Sequence, residues 1–113
     1  MKTITHTFIQ SFGEFQATAT ITHGQQARQT IRWKPRPDRT ELLLMQKEYT
    51  LWMLENYKIL ARAANRMMGY AQPDKDGQLN AWVIYPSGRV DKIMEAGEIL
   101  DEGAKHELEK WKR

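Results

Sequence analysis

PDRTELLLMQKEYTLWMLENYKILARAANRMMG, residues 37–69, is the longest stretch of the chain that reads as a single element. Asp38-Arg39-Thr40-Glu41 has the form of a capping box. Asp38 can accept from the backbone N–H three residues on, and Glu41 can reach back to the N–H of Asp38. Pro37 cannot extend a helix backward and pushes Arg36 toward an extended shape. At the far end Gly69 follows Met67-Met68, where a left-handed C′ residue belongs. No Pro or Gly interrupts the interior, which is rich in Leu, Met, Ala, Glu, Lys and Arg.

Leu42, Met45, Tyr49, Trp52, Ile59, Ala63 and Met67 recur at helical spacing, and Leu44, Leu51 and Leu54 widen the stripe. The spacing therefore predicts a continuous helix over Asp38–Met68. A helix of ~30 residues spans ~45 Å, which is long for a domain of this size. Its surplus apolar face calls for a cover, and a second copy of the chain is the simplest one.

Outward from the helix, the N-terminal third reads as strands. Residues 3–9 are rich in Thr and Ile. In residues 14–22, Phe15, Ala17, Ala19 and Ile21 alternate with Gln16, Thr18, Thr20 and Thr22, the pattern of a half-buried strand. Ser11-Phe12-Gly13-Glu14 and His23-Gly24-Gln25-Gln26 read as turns. Residues 27–34 form a third strand with Ala27, Ile31 and Trp33 on one face. Pro35 and Pro37 end it and argue for an edge position.

After the helix, residues 72–77 read as a polar loop and Leu79 to Tyr85 as an interior strand, apolar on both faces. Pro86-Ser87-Gly88 turns the chain, and Arg89 to Met94 return as a fifth strand. Leu100, Ala104, Leu108 and Trp111 fall at helical spacing, with Glu98, Asp101 and Glu102 suited to a helix start. The expected fold is α+β: one domain, a mostly antiparallel four- or five-stranded sheet on one long helix, in the order β-β-β-α-β-β-α.

The 113 residues suffice for a core without staples. There is no cysteine, which excludes disulfides and thiolate metal sites. No apolar run reaches the ~18 residues of a membrane span, and the first residues lack the apolar region of a signal peptide. The expectation is a soluble cytoplasmic protein without a membrane partner.

The net charge of +3 is unevenly placed. Residues 1–40 hold six bases against two acids, whereas residues 73–113 hold seven bases against nine acids. A basic front with a mildly acidic tail points to an anionic partner. Period-2 spacing puts Arg28, Arg32, Lys34 and Arg36 on one side of the third strand. Arg binds phosphate bidentately, so this row suits a nucleic-acid backbone. The same row also serves an edge strand that uses charge and proline to prevent edge-to-edge pairing. Lys58, Arg62 and Arg66 form a second row at i, i+4 spacing, which suits either the same partner or a solvated helix face.

The motifs of enzyme chemistry are missing. His6, His23 and His106 are scattered, with no partner at metal-ligand spacing. Asp74-Lys75-Asp76-Gly77 resembles part of a calcium loop, but the frame puts Gln72 first and Val83 last, where acids are required. It reads as a solvated turn. There is no Gly-rich phosphate loop. Ser11 and Ser87 lie at turns and outside any nucleophile-elbow sequence. Asp101-Glu102 reads as part of an exposed helix start. Trp33, Trp52, Trp82 and Trp111 each lie on an apolar stripe and read as core, with Trp33 bordering the basic row.

No catalytic residue, metal or cofactor is expected. The sequence supports a non-enzymatic binding module for DNA or RNA, or for a complex already on nucleic acid. The alternative is a protein-interaction module, an adaptor or small inhibitor, pairing as a homodimer through the long helix. A small hydrolase or transferase is disfavoured by the missing motifs.

Overall fold

A computed structural model describes residues 3–23 and 28–111. The elements in chain order are β1 (Ile4–Phe12), β2 (Phe15–His23), β3 (Arg28–Lys34), α1 (Arg39–Ala64), β4 (Met68–Pro73), β5 (Leu79–Ile84), β6 (Val90–Glu95), β7 (Glu98–Ile99) and α2 (Glu102–Trp111). The class is α+β, and every strand pairing is antiparallel. Two sheets replace the single one expected: β1-β2-β3 and β4-β5-β6-β7. The chain divides into two compact units, Met1–Met53 and Leu54–Arg113, and the boundary falls inside α1.

In the first unit, β1 and β2 form a hairpin closed by the Phe12↔Phe15 pair. Gly13 takes a φ of 60°, a left-handed value that hairpin turns with glycine at their first central position require. The β2–β3 register runs from Gln16↔Lys34 to Thr22↔Arg28. Ala17, Ala19 and Ile21 are fully buried, as their alternation predicts. On this inner face Trp33 contacts Phe12 and Tyr49 at ring-centroid distances of 5.9 and 5.7 Å. Phe12 also meets Trp52 at 5.6 Å, so aromatic rings join the sheet to the first half of α1. Ala27 and the 24–26 turn lie outside the described residues.

The capping box forms as its sequence predicts. Asp38 N–H donates to Glu41 Oε1 at 3.0 Å, and Glu41 N–H donates to Asp38 Oδ1 at 2.8 Å. The far end does not. α1 stops at Ala64, where Asn65 takes a φ of 53°. Asn65 N–H bonds the Arg62 carbonyl and Arg66 N–H bonds the Ala61 carbonyl, both at 3.2 Å. This is a Schellman closure with Asn in the left-handed seat, four residues ahead of Gly69. The buried stripe also departs from expectation along its whole length: of the residues expected in it, Leu42, Leu44 and Leu51 are exposed, whereas Leu54 is buried. Met53, Leu54, Tyr57, Leu60 and Ala61 are buried, while Ile59 is 51 % exposed and Ala63 is exposed.

In the second unit β4 begins at Met68, in residues expected to end the helix and open a loop. It pairs with β5 from Met68↔Ile84 to Pro73↔Leu79. β5 is an interior strand, as expected, though only Val83 and Ile84 are buried and Leu79 is 40 % exposed. β7 contributes two further residues at the edge. Asp101 caps α2, accepting from Ala104 N–H at 2.9 Å. Ala104 and Leu108 pack with Met67, Val83 and Ile93 in one core cluster. Leu100 precedes the helix and is exposed, and the Trp111 side chain lies outside the described residues. Gly69 sits on β4 where α2 comes close. A Cβ there would stand 2.5 Å from a Leu108 methyl carbon.

Asp74 organises the β4–β5 turn. Its Oδ1 accepts from the N–H groups of Asp76 and Gln78, both at 2.9 Å, so the carboxylate is engaged by the turn's own backbone.

Candidate nucleic-acid interface

The register of the first sheet fixes what its outer face presents. Across β1, β2 and β3 the side chains run Thr5–Thr22–Arg28, Thr7–Thr20–Thr30, Ile9–Thr18–Arg32 and Ser11–Gln16–Lys34. Strand alternation puts all twelve on one side. Seven are hydroxyl residues, three are cations, and none is a carboxylate. Arg28, Arg32 and Lys34 are exposed, and β3 is an edge strand. The Lys34–Pro35 peptide is cis, and Arg36 beyond it is exposed as well.

The hydroxyls form cross-strand pairs. Thr5 and Thr22 Oγ1 are 3.2 Å apart, and Thr7 and Thr20 Oγ1 are 3.5 Å apart. One hydrogen bond consumes one O–H, so each pair keeps a second O–H for an external acceptor. Phosphate oxygens are acceptors of this kind, and Ser and Thr are common phosphate contacts.

Among the described residues, no hydrogen bond or ion pair engages the side chain of Arg28, Arg32, Lys34 or Arg36. Their mutual repulsion is small. Arg32 and Lys34 stand two residues apart, ~7 Å along a strand, which costs ~0.6 kcal/mol in water. The face is therefore stable without a counter-charge and still open to one.

The helix row does not survive intact. Lys58 is held by Glu55 at 2.6 Å, and Arg62 is exposed on α1. Arg66 lies past Asn65, off the helix and half-buried, because α1 ends a turn early. The i, i+4 row is thus two residues long. Among the described residues, four further cations of the second unit lie beside a carboxylate. Arg89 reaches Asp91 at 3.2 Å and lies 4.1 Å over the Tyr85 ring. Its hydrogen bond with Tyr85, and then the Asp91 charge, hold its pKa above the ordinary value. Lys92 pairs with Glu95, Lys105 with Glu109 and Lys110 with Glu107.

Two grooves flank the first sheet's unit. One, of about 450 Å³, is lined by Ile31, Arg32, Trp33, Arg36, Pro37 and Leu42. The other, of about 380 Å³, carries Glu14, Glu41 and Glu48 beside Phe12, Phe15, Leu44 and Met45. The arginine-bearing and acid-bearing grooves of this unit share no lining residue. The threonine ladder was visible in the sequence only as the polar half of the β2 alternation. Its pairing with β1, and the arrival of Pro37 and Leu42 beside Trp33, needed the register.

Among the described residues, no three of His, Cys, Asp and Glu gather as a metal site would need. Among them, too, no helix is long and apolar enough to cross a membrane. Comparison with protein-family models, curated proteins and solved structures finds no match to this chain.

Proposed function

We propose that the chain is a non-enzymatic binding module whose three-stranded sheet takes the phosphate backbone of DNA or RNA on its outer face. The observation that carries this reading is a hydroxyl-rich face with Arg28, Arg32 and Lys34 on it, Arg36 just beyond, and no carboxylate. Edge protection alone explains less. A charge and a proline discourage pairing, and Lys34 with Pro35 supply both. The three arginines and the hydroxyl ladder are surplus to that need. Lys58 and Arg62 are auxiliary contacts at most, since Glu55 already holds Lys58.

The test is a salt titration against a duplex of mixed sequence. Four phosphate contacts give a slope of about −3.6 in log affinity against log salt, or a loss of ~100-fold between 50 and 200 mM. Replacing Arg28, Arg32, Lys34 and Arg36 together by Gln should flatten that slope toward zero. Binding that ignores salt, or a quadruple variant with the native slope, defeats the reading.

A second reading rests on α1. Leu44 is 82 % and Leu51 57 % exposed, with Leu42 and Leu43 also exposed beside them. An apolar patch of this kind supports a protein-interaction module or a homodimer through the helix. Light scattering that returns only the 13.3 kDa monomer mass at high concentration rejects the homodimer.

A further inference from the structure

The groove beside β3 adds to that reading, and rests on it, because Arg32 belongs to both the basic face and the groove wall. Its six lining residues include two guanidinium side chains, Arg32 and Arg36, and no carboxylate. Between them in sequence lies Trp33, half-buried, with part of its surface given to Phe12 and Tyr49 and part to the groove. Ile31, Pro37 and Leu42 complete an apolar floor. The volume of about 450 Å³ is within the range of small-molecule sites and ample for one nucleobase.

The outer face offers no aromatic ring, so it can hold phosphates and sugars without touching a base. The groove offers what that face lacks: an indole and an apolar floor, with cations at the rim. Base-on-aromatic stacking is the main sequence-tolerant contact to unpaired strands, and a base inside a duplex cannot reach such a ring. The geometry points to a base-and-phosphate subsite for single-stranded nucleic acid, with one unpaired base against Trp33 and its phosphate at Arg32 and Arg36. The module then prefers single strands to duplex. An acidic peptide would satisfy the arginines but would leave the indole without a planar partner.

The deciding experiment uses the intact chain and three probes of equal length: a 12-nucleotide oligothymidylate, the same sugar-phosphate strand without bases, and a 12-base-pair duplex. Stacking of one base predicts that the abasic strand binds roughly 5- to 150-fold more weakly than oligothymidylate at fixed salt. The duplex should likewise fall below oligothymidylate. Arg36→Gln should lower the single-strand salt slope by ~0.7. Trp33→Leu should bring oligothymidylate down to the abasic level, and Trp33→Phe should restore most of the difference. If Trp33→Leu fails to fold, the abasic comparison on the unaltered chain decides alone.

Equal affinity for the abasic strand and oligothymidylate overturns the subsite while leaving phosphate binding intact. Displacement of oligothymidylate by poly-glutamate at equal charge overturns it too, since the groove would then take any polyanion. Absence of binding to all three probes overturns both the subsite and the function proposed above.

Discussion

Among the described residues, five cations of the second unit sit beside a carboxylate, Arg62 being an exposed exception, whereas the cations of the β3 row do not. In the second unit, Lys58, Arg89, Lys92, Lys105 and Lys110 each lie within 3.6 Å of a carboxylate three or four residues away or two positions along the chain. In the first unit, Arg28, Arg32, Lys34 and Arg36 have no such neighbour among the described residues. Composition sets part of this difference, since residues 1–40 hold two acids and residues 73–113 hold nine. Helices α1 and α2 bring residues i+3 and i+4 together, which pairs Lys58, Lys105 and Lys110 locally, while Arg89 and Lys92 meet acids two and three residues along in β6. A strand sends alternate residues to opposite faces, and its neighbours on one face come from other strands. Here those neighbours are threonines and a glutamine, so the charge stays uncompensated. The sheet face with open cations is the one to look to for a partner.

The largest effect expected concerns the second unit's closure on itself. Gly69→Val puts side-chain carbon into space that Leu108 already fills. Overpacking of this kind costs about 1–3 kcal/mol. Calorimetry should show it as a lowered melting temperature, and pairing the change with Leu108→Ala should recover part of the loss. No change in melting would mean that α2 does not press on β4.

Breaking the charge contrast directly comes next. Thr30→Glu adds one carboxylate to the outer face, flanked along β3 by Arg28 and Arg32. Duplex or single-strand affinity should fall on the order of ten-fold, equivalent to ~1.4 kcal/mol, with a shallower salt slope and an unchanged melting curve. Unchanged affinity would show that this face is not where the anion sits.

Asp38→Ala removes half of the capping box and should cost about 1 kcal/mol of stability. Its salt slope should match the native chain, because Asp38 is not on the outer face. The smallest effect sharpens the comparison from the other side. Glu55→Gln frees Lys58, whose partner is 67 % exposed, so stability should change by only about 0.3–0.5 kcal/mol. Chemical denaturation read to that precision tests whether these pairs neutralise charge without holding the fold. A loss well above 1 kcal/mol would say otherwise.

Features set by near neighbours could be read from the sequence. Asp38 and Glu41 are three residues apart, and their reciprocal bonds need nothing from the rest of the chain. The alternation of Ala17, Ala19 and Ile21 with the threonines likewise announced β2. The helix end was misplaced because two residues competed for the left-handed seat. Gly69 is intrinsically better suited, but Met68-Gly69-Tyr70 is taken up by pairing with Trp82, Val83 and Ile84, far along the chain. Asn65 then closes the helix.

The same long-range pairing hid β4, whose Gly, Ala, Gln and Pro are poor strand formers. The buried stripe left Leu42, Leu44, Leu51 and Ile59 exposed because helical spacing alone does not say which neighbouring face will be covered. At the site, the basic strand row was legible from period-2 spacing, whereas Arg66 was assigned to a helix that ends before it. The groove was not legible at all. It depends on where the chain beyond Pro35 returns, which no local pattern encodes.

That α1 contributes Arg39–Met53 to one unit and Leu54–Ala64 to the other has a practical consequence for anyone making fragments. A cut at the boundary falls mid-helix. It would strip acceptors from the amides of the four residues after it and donors from the carbonyls of the four before it. Fragments meant for separate expression should therefore overlap, each retaining the whole of Arg39–Ala64 with its capping box and its Asn65 closure.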